Sequence, residues 1–342
     1  IKIVLHWIFG VKVGVIMASL VVLEYADVMS TDKDLSAEIL KAYGNGSVGA
    51  LGIRGVPNWK EMREKTLPLV HKLVKMPTNM LEELEDSQSM YNAGWSLGKE
   101  KMGDVPDFGK GSFYFNPLED DPSPELRDEY PWALPANRWP EESAIPGFKN
   151  NSCELGQVMR NIAIALARHI DKVILAHVPG YTPNLLSDAM SNSLKAKGRL
   201  LYYYPVDPNK AANDKKTDNW IAWHNDSGFL TCLAGDIFMK DSTGEIIDNP
   251  EPDNAGLYIC DREGVEQKIF IPNDCMGIQL GECTQLISGG LLVATPHCVR
   301  GCKKTADVAR ISFPCFVDTN VTFPMSMPEG CSRDDVFRHT VA

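Results

Sequence analysis

A mainly-β core with supporting helices is the fold class that the sequence predicts, and three observations carry the prediction. From Arg199 onward, short apolar runs alternate with turns rich in Gly, Pro, Asn and Asp, the pattern of a β-sandwich or barrel. Before Arg199, apolar residues recur at helical spacing in several segments. No Pro/Ser linker and no internal repeat divides the 342 residues, and 44% hydrophobic content is ample for one large core. A single domain over 17–342 is expected, with a helical N-terminal half at about 17–198, a β core at about 199–317 and a tail at 318–342.

The elements follow in chain order. Residues 1–16 are apolar but interrupted by Lys2, His6 and Lys12. They are too broken for a membrane span and only loosely like a signal peptide, so they are read as an extension of unknown role. Ala18 to Leu23 reads as the first strand of the domain. Thr31 to Asp34 offers a helix start, and Leu35, Ile39 and Tyr43 recur at i, i+4 and i+8 before Gly44 closes the helix. Gly49 to Pro57 is a glycine-punctuated strand without the G-K-[ST] ending of a phosphate loop. Asn58 with Glu61 predicts a capping box for a helix whose apolar face is Trp59, Met62, Leu69, Val70 and Leu73. Tyr91 to Gly147 carries few periodic signals. Asn151 and Glu154 then predict the cap of a long helix with the stripe Ile162, Leu166, Ile170 and Val173, on which His169 reads as structural. After Ser312, Phe313 to Val317 completes the β core, and the tail either covers its mouth or is mobile.

Composition narrows the function classes. A net charge of −11 argues against a nucleic-acid partner, because a phosphate backbone must meet a basic surface; Lys210 to Lys216 reads as a solvated loop. The nine cysteines are odd in number, form no C-x-x-C and sit in apolar runs, which predicts reduced thiols and a cytoplasmic location. Cys298 and Cys302 are read as packing residues. Sequons at Asn45, Asn150, Asn225 and Asn320 would suit secretion, but a glycan on Asn225 would fall between His224 and Asp226. No membrane association is expected, and oligomeric state is not legible.

The chemistry concentrates between Trp223 and Ser312. Trp223-His224-Asn225-Asp226 lies among β-branched and apolar residues, and in a strand His224 and Asp226 leave the same face. His297 ends the apolar run Leu291 to Pro296, and Arg310-Ile311-Ser312 repeats the i, i+2 spacing with a cation and a hydroxyl. Two imidazoles and one carboxylate are the ligand set of the facial triad that holds non-haem Fe(II) with open positions. Arg310 and Ser312 could hold a carboxylate beside such a metal.

This stretch resembles the 2-oxoglutarate and Fe(II)-dependent oxygenase superfamily, in its isopenicillin N synthase-like branch. The resemblance implies a double-stranded β-helix, or jelly roll. It implies iron on His224, Asp226 and His297, the far carboxylate of 2-oxoglutarate on Arg310 and Ser312, and ascorbate as an auxiliary reductant. Arg199 to Pro205 resembles the family's R-x-N-Y-Y-P segment, which makes Tyr204 the assisting tyrosine, although Tyr202 stands where Asn is usual. Asp226 to His297 spans 297 − 226 = 71 positions and His297 to Arg310 spans 13, both long for the plant pattern. Inserted turns near Lys240 to Asn254 and Gly301 to Asp307 would absorb the excess. Lys110 to Pro117 and Asn137 to Pro140 resemble the family's substrate-side segments, and Tyr114, Trp139 and Trp223 are the candidate pocket residues. The activity implied is oxidation of a small organic substrate by dioxygen, with release of succinate and carbon dioxide. An iron oxidase that uses no 2-oxoglutarate, a zinc hydrolase and a silent jelly-roll binding protein remain alternatives.

Overall fold

A computed structural model describes residues 3–8, 11–102, 105–206 and 219–337. Lys210 to Lys216 and residues 338–342 lie outside the described residues. The described strands are β1 (Ile3–Ile8), β2 (Val11–Met17), β3 (Val21–Glu24), β4 (Ala50–Arg54), β5 (Gly94–Leu97), β6 (Lys101–Met102), β7 (Val105–Pro106), β8 (Lys110–Phe115), β9 (Ala196–Tyr203), β10 (Asn219–His224), β11 (Leu230–Lys240), β12 (Ile246–Ile247), β13 (Gly256–Cys260), β14 (Glu266–Ile269), β15 (Cys275–Leu280), β16 (His297–Arg300) and β17 (Val308–Val317).

β6 and β7 pair only with each other, and the other fifteen strands form two sheets with a cavity between them. The larger has the order β3-β4-β15-β11-β17-β9-β8-β5, with β12 on β11; the smaller has the order β1-β2-β14-β13-β16-β10. Most pairings are antiparallel, so alternate residues of each strand face the cavity and the rest face outward. On β17 this sends Arg310 and Ser312 to the cavity, while Ile311 and Cys315 join the core on the other side.

That outer core is roofed by the helix Phe148–His177. Its Ile162, Leu166, Ile170 and Val173 are all buried, as their spacing predicts. Each such side chain stabilises by roughly 1.5–3 kcal/mol when removed from water. The helix lies against β11, β17 and β9, so it stiffens the strands that carry Arg310. His169 sits inside this packing, with Nε2 3.0 Å from the Val28 carbonyl, a structural role.

Several local expectations are corrected. Asn58 does precede a helix, Trp59–Thr66, but in the left-handed region at φ 55° and without a side-chain cap bond. That helix stops, and a second runs over Leu69–Val74, because Pro68 between them lacks the donor a continuous helix needs. The long helix starts at Phe148, so Asn151 lies within it, its side-chain amide near the Lys65 carbonyl. The weakly periodic stretch after Tyr91 contains β5 to β8, of which β8 and β5 extend the larger sheet beyond β9. Residues 3–8 and 11–17 form β1 and β2, which join the smaller sheet where Ile16 and Met17 pair with Gln267 and Lys268.

Candidate metal centre

β10 and β16 are antiparallel neighbours, and their register sets His224 opposite His297. The two ring centroids are 4.2 Å apart. His224 Nδ1 lies 2.8 Å from the Ala222 carbonyl and His297 Nδ1 lies 3.3 Å from the Thr295 carbonyl. A carbonyl can only accept, so each Nδ1 carries the proton and each Nε2 presents a lone pair. The chain turns after β10 and brings Asp226 under both rings, with Oδ1 3.9 Å from each Nε2. That separation is too long for hydrogen bonds among the three, yet one ligand atom from each residue falls within 4.8 Å of the others. Asp226 Oδ2 is buried without a partner among the described residues. A buried carboxylate oxygen left unpaired beside two imidazole lone pairs is the donor set of a cation, so these residues fit a divalent metal.

Burial lowers the His297 pKa; Asp226 opposes this and His224 adds to it. Burial therefore favours the neutral form of His297, the form that can ligate. Behind the turn, the Glu282 amide donates to the Asp226 carbonyl at 2.8 Å and Asn225 Nδ2 donates to Glu282 Oε1 at 3.0 Å. The helix Glu282–Ile287 thus holds the turn in place, and Gln285 Nε2 on the same helix reaches the Val336 carbonyl of the tail at 2.8 Å.

The three residues open onto a cavity of ≈ 670 Å³ that runs between the sheets to Arg310 and Ser312. Arg310 is buried, its guanidinium 4.7 Å from the Tyr203 ring centroid, and Nη2 donates to Asp236 Oδ1 at 2.5 Å. Burial works against its charge, but Asp236 and Tyr203 outweigh that and keep it a cation. Its Nε and Nη1 are buried and unpartnered among the described residues. An orphaned cationic donor in a cavity wall fits an anionic oxygen ligand.

No family model matches the chain. It is 24% identical over 260 residues to a 2-oxoglutarate-dependent dioxygenase of Gibberella zeae, covering 73% of this chain and 60% of that protein. It is 27% identical over 214 residues to the 2-oxoglutarate-Fe(II) type oxidoreductase ppzD of Metarhizium rileyi, covering 59% and 51%. The chain thus spans between half and two thirds of the length of these curated relatives. A full-length Neurospora crassa protein, solved in complex with alpha-KG and 5-formyluracil, superposes with a TM-score of 0.70 at 18% identity, covering 93% of this chain and 91% of that one. The chain is thus similar in sequence to 2-oxoglutarate-dependent dioxygenases and oxidoreductases. The two sheets around the cavity form a jelly roll, the fold this chain shares with those structures.

Within this jelly roll, several residues stand elsewhere than the motifs imply. Tyr204 lies past the end of β9 and packs edge-on against Tyr202, ring centroids 5.1 Å apart. Strand alternation instead sends Arg199, Leu201 and Tyr203 to the cavity, so Tyr203 is the tyrosine beside Arg310, in register with it. Tyr114 is buried against Arg199, and its hydroxyl donates to Glu100 Oε1 at 2.6 Å. Trp139 packs on Phe113, Phe115 and Phe148, and its Nε1 donates to Asp120. Neither they nor the half-buried Trp223 line the cavity. Cavity residues missed from sequence include Tyr203, Asp236, Lys268 and Arg199. A period-two count from Leu201 would have found Tyr203. Cys298 and Cys302 are buried packing residues, and all nine cysteines are free thiols.

Proposed function

We propose that the protein is an Fe(II)- and 2-oxoglutarate-dependent oxygenase that oxidises a small organic substrate, with release of succinate and carbon dioxide. One observation carries the reading. The convergent His224, Asp226 and His297 atoms share a single cavity with the unpartnered guanidinium nitrogens of Arg310. A 2-oxo dicarboxylic acid needs both ends of such a site, a metal at its head and a cation at its far carboxylate.

In this reading His224, Asp226 and His297 hold the iron, which with its co-substrate supplies the activation of dioxygen. Three protein ligands leave positions open for small molecules. The Ala222 and Thr295 carbonyls fix the imidazole tautomers, so the rings need no reorientation to ligate. Arg310 and Ser312 bind the far carboxylate, and Tyr203 backs the guanidinium with its ring. Leu201, Leu233, Phe238, Leu257 and Val299 make much of the wall apolar, which excludes water around the reacting groups. Small-molecule substrate and dioxygen are the partners in this proposal. No helix among the described residues is long and apolar enough to cross a membrane. The nine free thiols support a reducing compartment such as the cytoplasm.

The test is an anaerobic titration of metal-free protein with Fe(II) and then 2-oxoglutarate. A visible charge-transfer band that appears only with both supports the proposal. Iron binding without the band would favour an oxidase that needs no 2-oxoglutarate, and absence of iron binding would reject the metal reading.

A further inference from the structure

β11 does not run regularly past Arg310. Its register with β17 shifts between Leu233 and Asp236, and Gly235 within the shift has φ +67°. Such a shift in an antiparallel pair is a bulge, and a bulge re-aims the side chains that follow. Thr231 and Leu233 line the cavity before it, and Asp236 and Phe238 line it afterward. Unbroken alternation from Leu233 would have turned Asp236 to the opposite face.

Arg63, on the helix Trp59–Thr66, braces this bulge. Its buried guanidinium donates to the carbonyls of Ala234 at 2.5 Å, Asn273 at 2.8 Å and Asp236 at 3.2 Å. A Cβ on residue 235 would stand 3.2 Å from Arg63 Nη2, in a backbone conformation that side chains rarely adopt. The braced bulge places Asp236 in register with Ser312 and its Oδ1 on Arg310 Nη2. Lys268 also lines the cavity, with its ammonium on the carbonyls of Pro252 and Ala255.

We infer that Asp236 is a positioning residue for co-substrate binding: it fixes the Arg310 guanidinium through Nη2 so that an unpartnered donor, Nε or Nη1, is held ready for the far carboxylate. This rests on the assignment of Arg310 as the anchor of 2-oxoglutarate. An anion beside that anchor would, by charge alone, weaken binding of a dicarboxylate. Its presence is explained by orientation, because a guanidinium held in one geometry loses less freedom when it binds. The two effects have opposite signs, so an experiment separates them.

Dissociation constants of 2-oxoglutarate and of 2-oxopentanoate, which has the same 2-oxo acid head and no far carboxylate, are measured calorimetrically on Fe(II)-loaded protein under argon. Wild type, Asp236→Asn, Asp236→Ala and Arg310→Ala are compared. The inference expects both Asp236 variants to bind 2-oxoglutarate about tenfold more weakly, the loss of one charge-assisted hydrogen bond's ordering effect, with 2-oxopentanoate unchanged. Unchanged or tighter 2-oxoglutarate binding overturns it, and so does equal weakening of both ligands, which would mark a general structural defect. Unchanged affinity in Arg310→Ala would instead reject Arg310 as the anchor. Should Asp236→Ala fail to fold, the isosteric Asp236→Asn decides.

Discussion

His224 and His297 face each other across one antiparallel ladder with ring centroids 4.2 Å apart, although 297 − 224 = 73 positions separate them in the chain. Each ring is held through Nδ1 by a backbone carbonyl two residues earlier, not by a side chain. The backbone therefore fixes both imidazoles in the ligating tautomer, and the chemistry of the pair depends on the strand register.

His297→Ala removes one of three converging ligand atoms from a cavity wall without disturbing the outer core. Iron affinity should fall by more than the roughly 10–100-fold that outer-shell partners cost, with the circular dichroism spectrum retained. Iron stoichiometry measured after anaerobic loading checks this, and full occupancy in the variant would remove His297 from the site.

Arg310→Ala takes away the buried, unpartnered Nε and Nη1 donors. Charge-assisted hydrogen bonds contribute about 1.5–3 kcal/mol, so the KM for 2-oxoglutarate should rise at least about tenfold while iron affinity stays the same. Steady-state kinetics with succinate detection reads the first and anaerobic iron titration the second, and an unaltered co-substrate response would count against this role.

Gly281 is packed on the turn that carries Asp226. A Cβ there would lie 2.1 Å from the Gly228 oxygen and 3.0 Å from the Asp226 oxygen. Gly281→Ala should push that turn away at a cost of about 1–3 kcal/mol, lowering both thermal stability and iron affinity. A variant with wild-type iron affinity would show that the turn absorbs the methyl group elsewhere.

His169 sets a pH dependence away from the metal. Burial lowers its pKa, the Val28 carbonyl opposing, so the folded value lies below the unfolded one of about 6.5. Between the two values the unfolded chain binds more protons, and stability falls as pH drops through that window. Melting of metal-free protein from about pH 7.5 down to about pH 5 should show this loss, and His169→Gln should flatten it. An identical slope in the variant would assign the effect to other groups.

Much of the fold was legible because its signals are local. The stripe Ile162, Leu166, Ile170 and Val173 needed only the 3.6-residue period to identify a buried helix face. The capping boxes failed because a cap depends on where the preceding chain comes from: Gly147 enters the long helix in a left-handed conformation, a full turn before the expected cap at Asn151. The pocket aromatics failed for a related reason. Trp139 and Tyr114 are large rings whose burial is expected from sequence, but which cavity or core they fill depends on how β8 and the long helix meet.

The donor chemistry is written in the chain itself: two imidazoles, a carboxylate and an arginine, set on strands by alternation with β-branched and apolar neighbours. Tertiary structure decided which of them meet. Tyr203 rather than Tyr204 faces Arg310 because the pairing of β9 with β17 sets Tyr203 in register with Arg310, and alternation turns its neighbours away. Asp236 reaches Arg310 because one bulge, pinned from a helix some 170 positions earlier, reverses the alternation of β11. Side-chain direction in a strand has a period of two, so a shift of one residue, invisible in the local pattern, exchanges the cavity face for the outer face.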